Sequence, residues 1–329
     1  MIGHLKKYLY YKNHVTLLSK FRNKKIQKDI LNRKGKIYYI IKRDRWRGMF
    51  SNLHYVILNI IYAENKNYTP IVDMQNYPTI YNEFEKLNKS YNSWNYYFNN
   101  LTKIKLEKIY KNKNYILSNE KNIDTTKIDP KLYNKFKKIL KSFKIQKKII
   151  KFIKNYEKQF TNKKILGVHF RGSDQKTAAL HPFPPDLKQI IQITKKINNK
   201  IKFDYIFLVT EEKKYLKKFL NVFGKKLIYL NCFRSDKDIF EGYPRKNHRY
   251  LLGFETIVNM ILLSKVNYMI HSNSNLSAMA RHYSKKKFKE AIIFNGINSG
   301  NIFICNFLWY LKKILPYNMG GFKNKIIYK

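Results

Sequence analysis

The sequence predicts an α/β protein whose second half holds a doubly wound parallel sheet. Three observations carry this. From 164 to 283, short apolar runs rich in Ile, Val, Phe and Tyr alternate with longer helical stretches; the first half shows one strand, loop, helix, strand unit; and 44% hydrophobic with 16% aromatic residues can fill real cores. At 329 residues two medium domains are expected, dividing at 1–155 and 156–329.

In the first half, residues 36–41 (KIYYII) read as a strand leading into the loop RDRWRGMFSN, which carries Arg43, Arg45, Arg47 and Gly48. Residues 53–64 are apolar enough for a buried helix, and 70–73 read as the next strand. The aromatic, Asn-rich stretch 76–125 has few periodic signals and reads as irregular structure. Between 130 and 160, Leu132, Phe136, Leu140, Phe143, Ile149, Ile150 and Ile153 recur at helical spacing in a Lys-rich background, giving one or two amphipathic helices. The second half then reads as strands at 164–170, 205–209, 226–230 and 268–271, with helices at 185–195, 211–222, 252–264 and 275–283. In a sheet of this kind ligands bind at the carboxyl ends of the strands.

The chain carries 67 Lys or Arg against 21 Asp or Glu, a formal charge of +46. Each half holds +23, so there is no basic arm, and only ten of the 67 basic residues are Arg. Abundant Lys, Asn, Ile and Tyr match AT-rich codons, which makes most of this charge a solvated background. A selected affinity for nucleic acid or lipid headgroups is the competing account. Where Arg replaces Lys, a planar bidentate cation is the expected reason. Two cysteines, Cys232 and Cys305, make no disulfide framework and fit a reducing cytoplasm. The N-terminal run reads as no secretory signal, and no apolar stretch reaches the roughly 20 residues of a membrane span.

Three strand-end clusters could carry chemistry. In GVHFRGSD (167–174), a buried strand runs into a turn presenting His169, Arg171, Gly172, Ser173 and Asp174. An Arg there can fork onto phosphate oxygens, while Gly172 and Ser173 let the backbone approach a ligand. The alternative is a surface turn with an incidental ion pair. In HSNSN (271–275), Ser272, Asn273, Ser274 and Asn275 precede a helix; a cap needs one such residue, and four together point to an anion site. Thr210, Glu211 and Glu212 close the strand YIFLV, as sugar or base ligands or simply as acids at a helix start. Asp236 and Asp238 have a metal-binding spacing but lie in a charged loop. No zinc pairing, Walker loop, dinucleotide fingerprint or nucleophile elbow occurs, which removes the usual evidence for kinase, dehydrogenase and hydrolase readings.

VHFRGSDQKTAALHP resembles the first signature of the α1,6-fucosyltransferases. IFLVTEE, KNHRY (246–250) and GFETIVNMILLSKVNYMIHSNSNLSAMA resemble later segments of that family in the same order, and RGMFSNLHYVILNIIYAE resembles the turn and helix that open its acceptor-side domain. The resemblance implies a GT-B-type fold, two Rossmann-like domains facing across a cleft, and an inverting, metal-independent transfer of fucose from GDP-fucose to a glycan or lipid-linked oligosaccharide. It implies that Arg171 grips the diphosphate and His169 lines the donor site. Thr210 and Glu211 lie near nucleoside or sugar, Ser272 to Asn275 bind phosphate, and Gly48 and Asn52 belong to the acceptor side. Three departures stand out. Gly172 replaces a second Arg; the segment from Asp174 to His181 is short and lacks a carboxylate, leaving Asp174 as candidate base or as a group that only orients Arg171; and Asn259 replaces an acid, so that guanine recognition passes to Glu255 one turn earlier or the nucleotide is a different one. Expected partners are the nucleotide sugar, the acceptor glycan and an anionic membrane touched peripherally by the 130–160 helices and the segment 303–315. A basic nucleic-acid-binding protein is the alternative.

Overall fold

The computed structural model describes residues 35–43, 47–112, 114–119, 130–172, 175–286 and 289–329. They form two compact units. One comprises Phe152–Gly242 and Ile257–Lys329; the other comprises the described residues before 152 together with Tyr243–Thr256.

The N-terminal unit is built on a three-stranded parallel sheet. Strand β1 (Tyr38–Ile41) enters helix α1 (Met49–Asn65) and returns as β2 (Thr69–Val72), the expected crossover. Almost every apolar side chain of α1 is buried, so the helix is held by packing and not by its caps. Asn59, fully buried, meets the Tyr39 hydroxyl on β1 at 3.0 Å and uses its amide on the Tyr55 carbonyl. The segment after β2 is more ordered than its sequence predicts. It contains α2 (Trp94–Tyr97), α3 (Leu106–Asn112) and β3 (Tyr115–Leu117), which pairs with β1 to give the order β2-β1-β3. The coil between β2 and α2 is stapled by buried amides. Asn82 donates to the carbonyls of Met74 and Tyr91 at 2.7 and 2.9 Å, and Asn92 donates to that of Val72 at 2.7 Å. Each asparagine thus satisfies backbone groups that a regular ladder would otherwise pair, without hydropathic periodicity.

Helices α4 (Pro130–Ser142) and α5 (Lys147–Glu157) occupy the amphipathic stretch. Phe136, Leu140, Ile149 and Ile153 are all under 5% exposed, so much of the apolar face packs into the protein's own core, while Leu132, Phe143 and Ile150 are half-buried.

The second unit contains a six-stranded sheet, with β4 (Ile165–His169), α6 (Leu187–Ile201), β5 (Tyr205–Val209), α7 (Lys213–Phe223) and β6 (Leu227–Tyr229) as its first half. Helix α8 (His248–Leu263), which starts in the N-terminal unit, leads to β7 (Tyr268–Ser272), α9 (Asn275–Tyr283) and β8 (Lys289–Phe294). Helix α10 (Cys305–Ile314) and β9 (Lys325–Tyr328) complete it; β8, α10 and β9 are elements the sequence reading did not place. The order is β6-β5-β4-β7-β8-β9, parallel except for β9, which pairs antiparallel with β8. This is the strand order of a dinucleotide-binding sheet, and it reverses between β4 and β7. Leu166, Val168, Phe170, Ile190, Phe219 and Ile270 fill its core at zero exposure.

Candidate active site

Because β4 and β7 are adjacent where the strand order reverses, the residues that follow them lie side by side at the carboxyl edge of the sheet, the place where sheets of this order bind ligands. β4 delivers His169, Phe170, Arg171 and Gly172; β7 delivers His271 and Ser272, then Asn273 and Ser274 at the start of α9. The two loops touch through Oγ of Ser274 and Nδ1 of His169, 3.2 Å apart and both buried. Ser274 is also the N-cap of α9: its Oγ accepts from the Ser277 amide at 3.3 Å, and Ser277 Oγ accepts from the Ser274 amide at 3.2 Å. Asn273 and Asn275 are exposed, leaving their amides to solvent or ligand. Ser272 is buried, with Oγ 3.5 Å from Gln175 Oε1.

Arg171 Nε lies 3.9 Å from Glu211 Oε2, and each side chain is about one third exposed. This is a loose, screened pair that contributes little by itself. Among the described residues Glu211 is the carboxylate facing Arg171; Ser173 and Asp174 lie outside the described residues. The backbone of Thr210 and Glu211 is fixed by a residue the sequence reading passed over. Arg234, 6% exposed, donates to the carbonyls of Thr210, Leu230 and Cys232 at 3.1, 2.8 and 3.3 Å, and the Ser235 amide donates to the Glu211 carbonyl. The signal was present: Arg234 is one of ten arginines among 57 lysines, and a five-donor fork is what three converging carbonyls require.

Gly172 has a packing reason. A Cβ there would lie 2.7 Å from the Tyr215 ring and hydroxyl and 2.8 Å from Glu212 Oε1, so any side chain would force Tyr215 or Glu212 to shift. Glu212 is 2% exposed beside Lys214 at 3.3 Å. Burial pushes its carboxyl above the usual range, against the pull of Lys214 and Lys176. The Lys176 ammonium, lowered by burial, donates to the Tyr215 hydroxyl at 3.4 Å and sits 4.1 Å over the Trp309 ring.

Behind β7 lies a buried relay that the sequence reading also missed. His271 Nε2 meets Glu290 Oε2 at 3.0 Å, and Arg281 Nη1 donates to Glu290 Oε1 at 2.8 Å. Burial alone would raise the Glu290 carboxyl; the His271 hydrogen bond and the Arg281 charge outweigh it and hold the group below its ordinary value. On α8, Asn259 is 8% exposed and its Oδ1 has no hydrogen-bond partner among the described residues.

The remaining expected site residues belong to the N-terminal unit. Glu255 is held by Arg245 through two hydrogen bonds of 2.6 and 2.8 Å, which occupies the carboxylate assigned to guanine. Gly48 caps α1 in an extended conformation, and Asn52 is buried, accepting from Arg43 at 3.4 Å and donating to the Arg47 carbonyl. A cavity of about 20 Å³ beside Asn52 has room for about one water and none for a sugar. Asp236 accepts from the Lys214 amide and Asp238 from the Phe240 amide, both backbone tasks. Among the described residues no three His, Cys, Asp or Glu side chains gather as a metal site, and no helix is long and apolar enough to cross a membrane.

No protein-family model matches the chain, and no curated protein matches it in sequence. Solved structures do match. NodZ α1,6-fucosyltransferase soaked with GDP-fucose superposes with a TM-score of 0.54 at 15% identity, covering 79% of this chain and 95% of that one. The same enzyme co-crystallised with GDP gives 0.54 at 15% identity over 81% and 97%, and NodZ from Bradyrhizobium gives 0.53 at 14% over 79% and 96%. These likenesses give the nucleic-acid alternative no support. The strand order, the paired α/β units and these matches together assign the chain the GT-B fold of the NodZ-type fucosyltransferases.

Proposed function

We propose that the protein is a glycosyltransferase that moves fucose from GDP-fucose to an acceptor hydroxyl on a glycan or lipid-linked oligosaccharide. The observation that carries this reading is the Ser274 to His169 contact at the sheet's switch point, in a fold whose solved neighbours were crystallised with GDP and GDP-fucose. Arg171 and the N-terminus of α9 offer positive potential for the leaving diphosphate. Ser272, Asn273, Ser274 and Asn275 supply hydroxyl, amide and backbone donors, Gly172 lets the backbone approach the donor, and Ser173 is a further donor-binding residue. Thr210 and Glu211 face the sugar or nucleoside. The acceptor oxygen attacks the anomeric carbon, GDP departs with the electron pair, and Asp174 takes the acceptor proton, inverting the centre in one displacement without a metal. Asn259 accepts from the guanine edge with its unpartnered Oδ1, in place of the occupied Glu255. Gly48 and Asn52 stand on the acceptor side of the N-terminal domain.

GDP-fucose turnover by the wild type and Arg171→Ala is the direct test. Turnover by the wild type with a loss of about a hundredfold or more in the variant supports the assignment. Equal rates remove Arg171 from the mechanism, and stabilisation by another nucleoside diphosphate but not GDP removes the donor.

A further inference from the structure

Helix α10 has two apolar sides, and the described residues cover only one. Cys305 and Trp309 face inward at 0 and 3% exposure, with Trp309 packed on Phe322 and donating to the Pro184 carbonyl. On the other side Phe303, Ile304, Phe307, Tyr310, Leu311 and Ile314 recur at helical spacing, with Phe303, Phe307 and Ile314 exposed by 69, 64 and 80%. Nine of the fifteen large apolar side chains exposed among the described residues fall between Ile302 and Met319. A helix that is apolar all round is normally buried all round, and a contiguous patch of this kind marks an interaction surface.

The charge around the patch identifies what covers it. No acidic residue follows Glu290, whose carboxylate is buried against His271 and Arg281, whereas Lys312, Lys313, Lys323, Lys325 and Lys329 all lie in this last stretch. A second copy would bring another +46 to the same contact, which opposes self-association. A nucleic acid would satisfy the lysines and leave the Phe and Ile side chains in water. An anionic lipid surface satisfies both, with headgroups for the lysines and the acyl boundary for the apolar ridge. We propose that the exposed face of α10, with the flanking segment 302–304, is a monotopic docking surface for anionic bilayers. The inner face of the same helix packs Trp309 against Lys176, so the docking face and Lys176 lie on opposite sides of α10. The proposal does not depend on the donor assignment.

Flotation of the full chain with vesicles of phosphatidylcholine alone and of phosphatidylcholine with 30% phosphatidylglycerol tests it. The expected result is binding to the anionic vesicles and a fall of about tenfold or more in partitioning for Phe303→Ser/Phe307→Ser/Ile314→Ser, with an unchanged melting temperature showing that the variant is folded. Lys312→Gln/Lys313→Gln is expected to weaken binding less and to flatten its salt dependence. Undiminished binding by the triple variant overturns the proposal, because the net charge alone then suffices. Equal binding to both vesicles overturns it, as does concentration-dependent dimerisation of the wild type that the triple variant abolishes. If the triple variant melts lower, Phe307→Ser alone decides, since that side chain is mostly in water; unaltered partitioning by it overturns the proposal.

Discussion

The hydroxyl of Ser274 sits 3.2 Å from Nδ1 of His169, a residue 105 positions earlier in the chain. Two loops that are far apart in sequence become one site because β4 and β7 are neighbours in the sheet, with His169 paired in register against His271.

Ser274→Ala removes the cap of α9 and the contact with His169 together. The expected loss of stability is about 1 kcal/mol from the cap. Ser274→Asp restores the cap acceptor but places a negative charge where the diphosphate is proposed to lie. Thermal melts with and without GDP separate the two roles. Asp should recover the unliganded melting temperature and lose the GDP-induced rise, and recovery of both would leave Ser274 with capping alone.

Gly172→Ala forces a methyl group against Tyr215 and Glu212 and should cost about 1 to 3 kcal/mol by overpacking. Tyr215→Leu opens the space, so the double variant should be more stable than the two losses added together predict. Simple additivity in denaturant melts would mean that the glycine is not required by this contact.

Asn259→Ala should weaken stabilisation by GDP while leaving unliganded stability nearly unchanged, because Oδ1 has no internal bond to lose. Asn259→Asp should retain it, since the carboxylate also accepts from guanine. Calorimetric titration with GDP and with a nucleotide lacking the guanine amino group reads this directly. Equal affinity for both nucleotides would place guanine recognition elsewhere.

Glu290→Gln breaks the buried relay with His271 and Arg281. A loss of about 3 kcal/mol is expected at neutral pH. The folded-state carboxyl is held below its ordinary value, so its stabilisation is present above the usual carboxylate range and lost as the pH falls through the depressed value. The gap between wild type and variant in melting temperature should therefore narrow below about pH 4.5. A gap that stays constant down to pH 3 would show that the charge of Glu290 does not contribute.

Regular elements were legible wherever a single periodicity ruled. The helix read at 275–283 and the strand at 205–209 occur with those bounds: Ser274 caps the helix, and the strand is a continuous apolar run buried on both faces. The stretch from 76 to 125 was not legible. In its described part, the coil before α2 is held by Asn82 and Asn92 bonding to main-chain groups, and the sequence shows only two more asparagines in a chain full of them. These buried amides have a structural task that composition alone does not reveal. Glu290 and Arg234 escaped notice for a related cause. Glu290 meets His271 on β7 and Arg281 on α9, and Arg234 meets the carbonyl of Thr210 after β5, contacts that only the folded chain makes; nothing local distinguishes a buried carboxylate from a solvated one.

The sequence by itself determined the alternation of strands and helices, the strand-end placement of His169, Arg171 and Ser274, and the resemblance those motifs carry. These are local properties, set by side-chain period and by the few residue types that end a strand. Only the tertiary structure decided the strand order that joins 169 to 274, the claim of Arg245 on Glu255, the closed space at Gly172 and the uncovered side of α10. Each of these depends on which distant surface arrives at a residue, and burial, not residue type, then decides whether a charge is spent on the fold or left for a ligand.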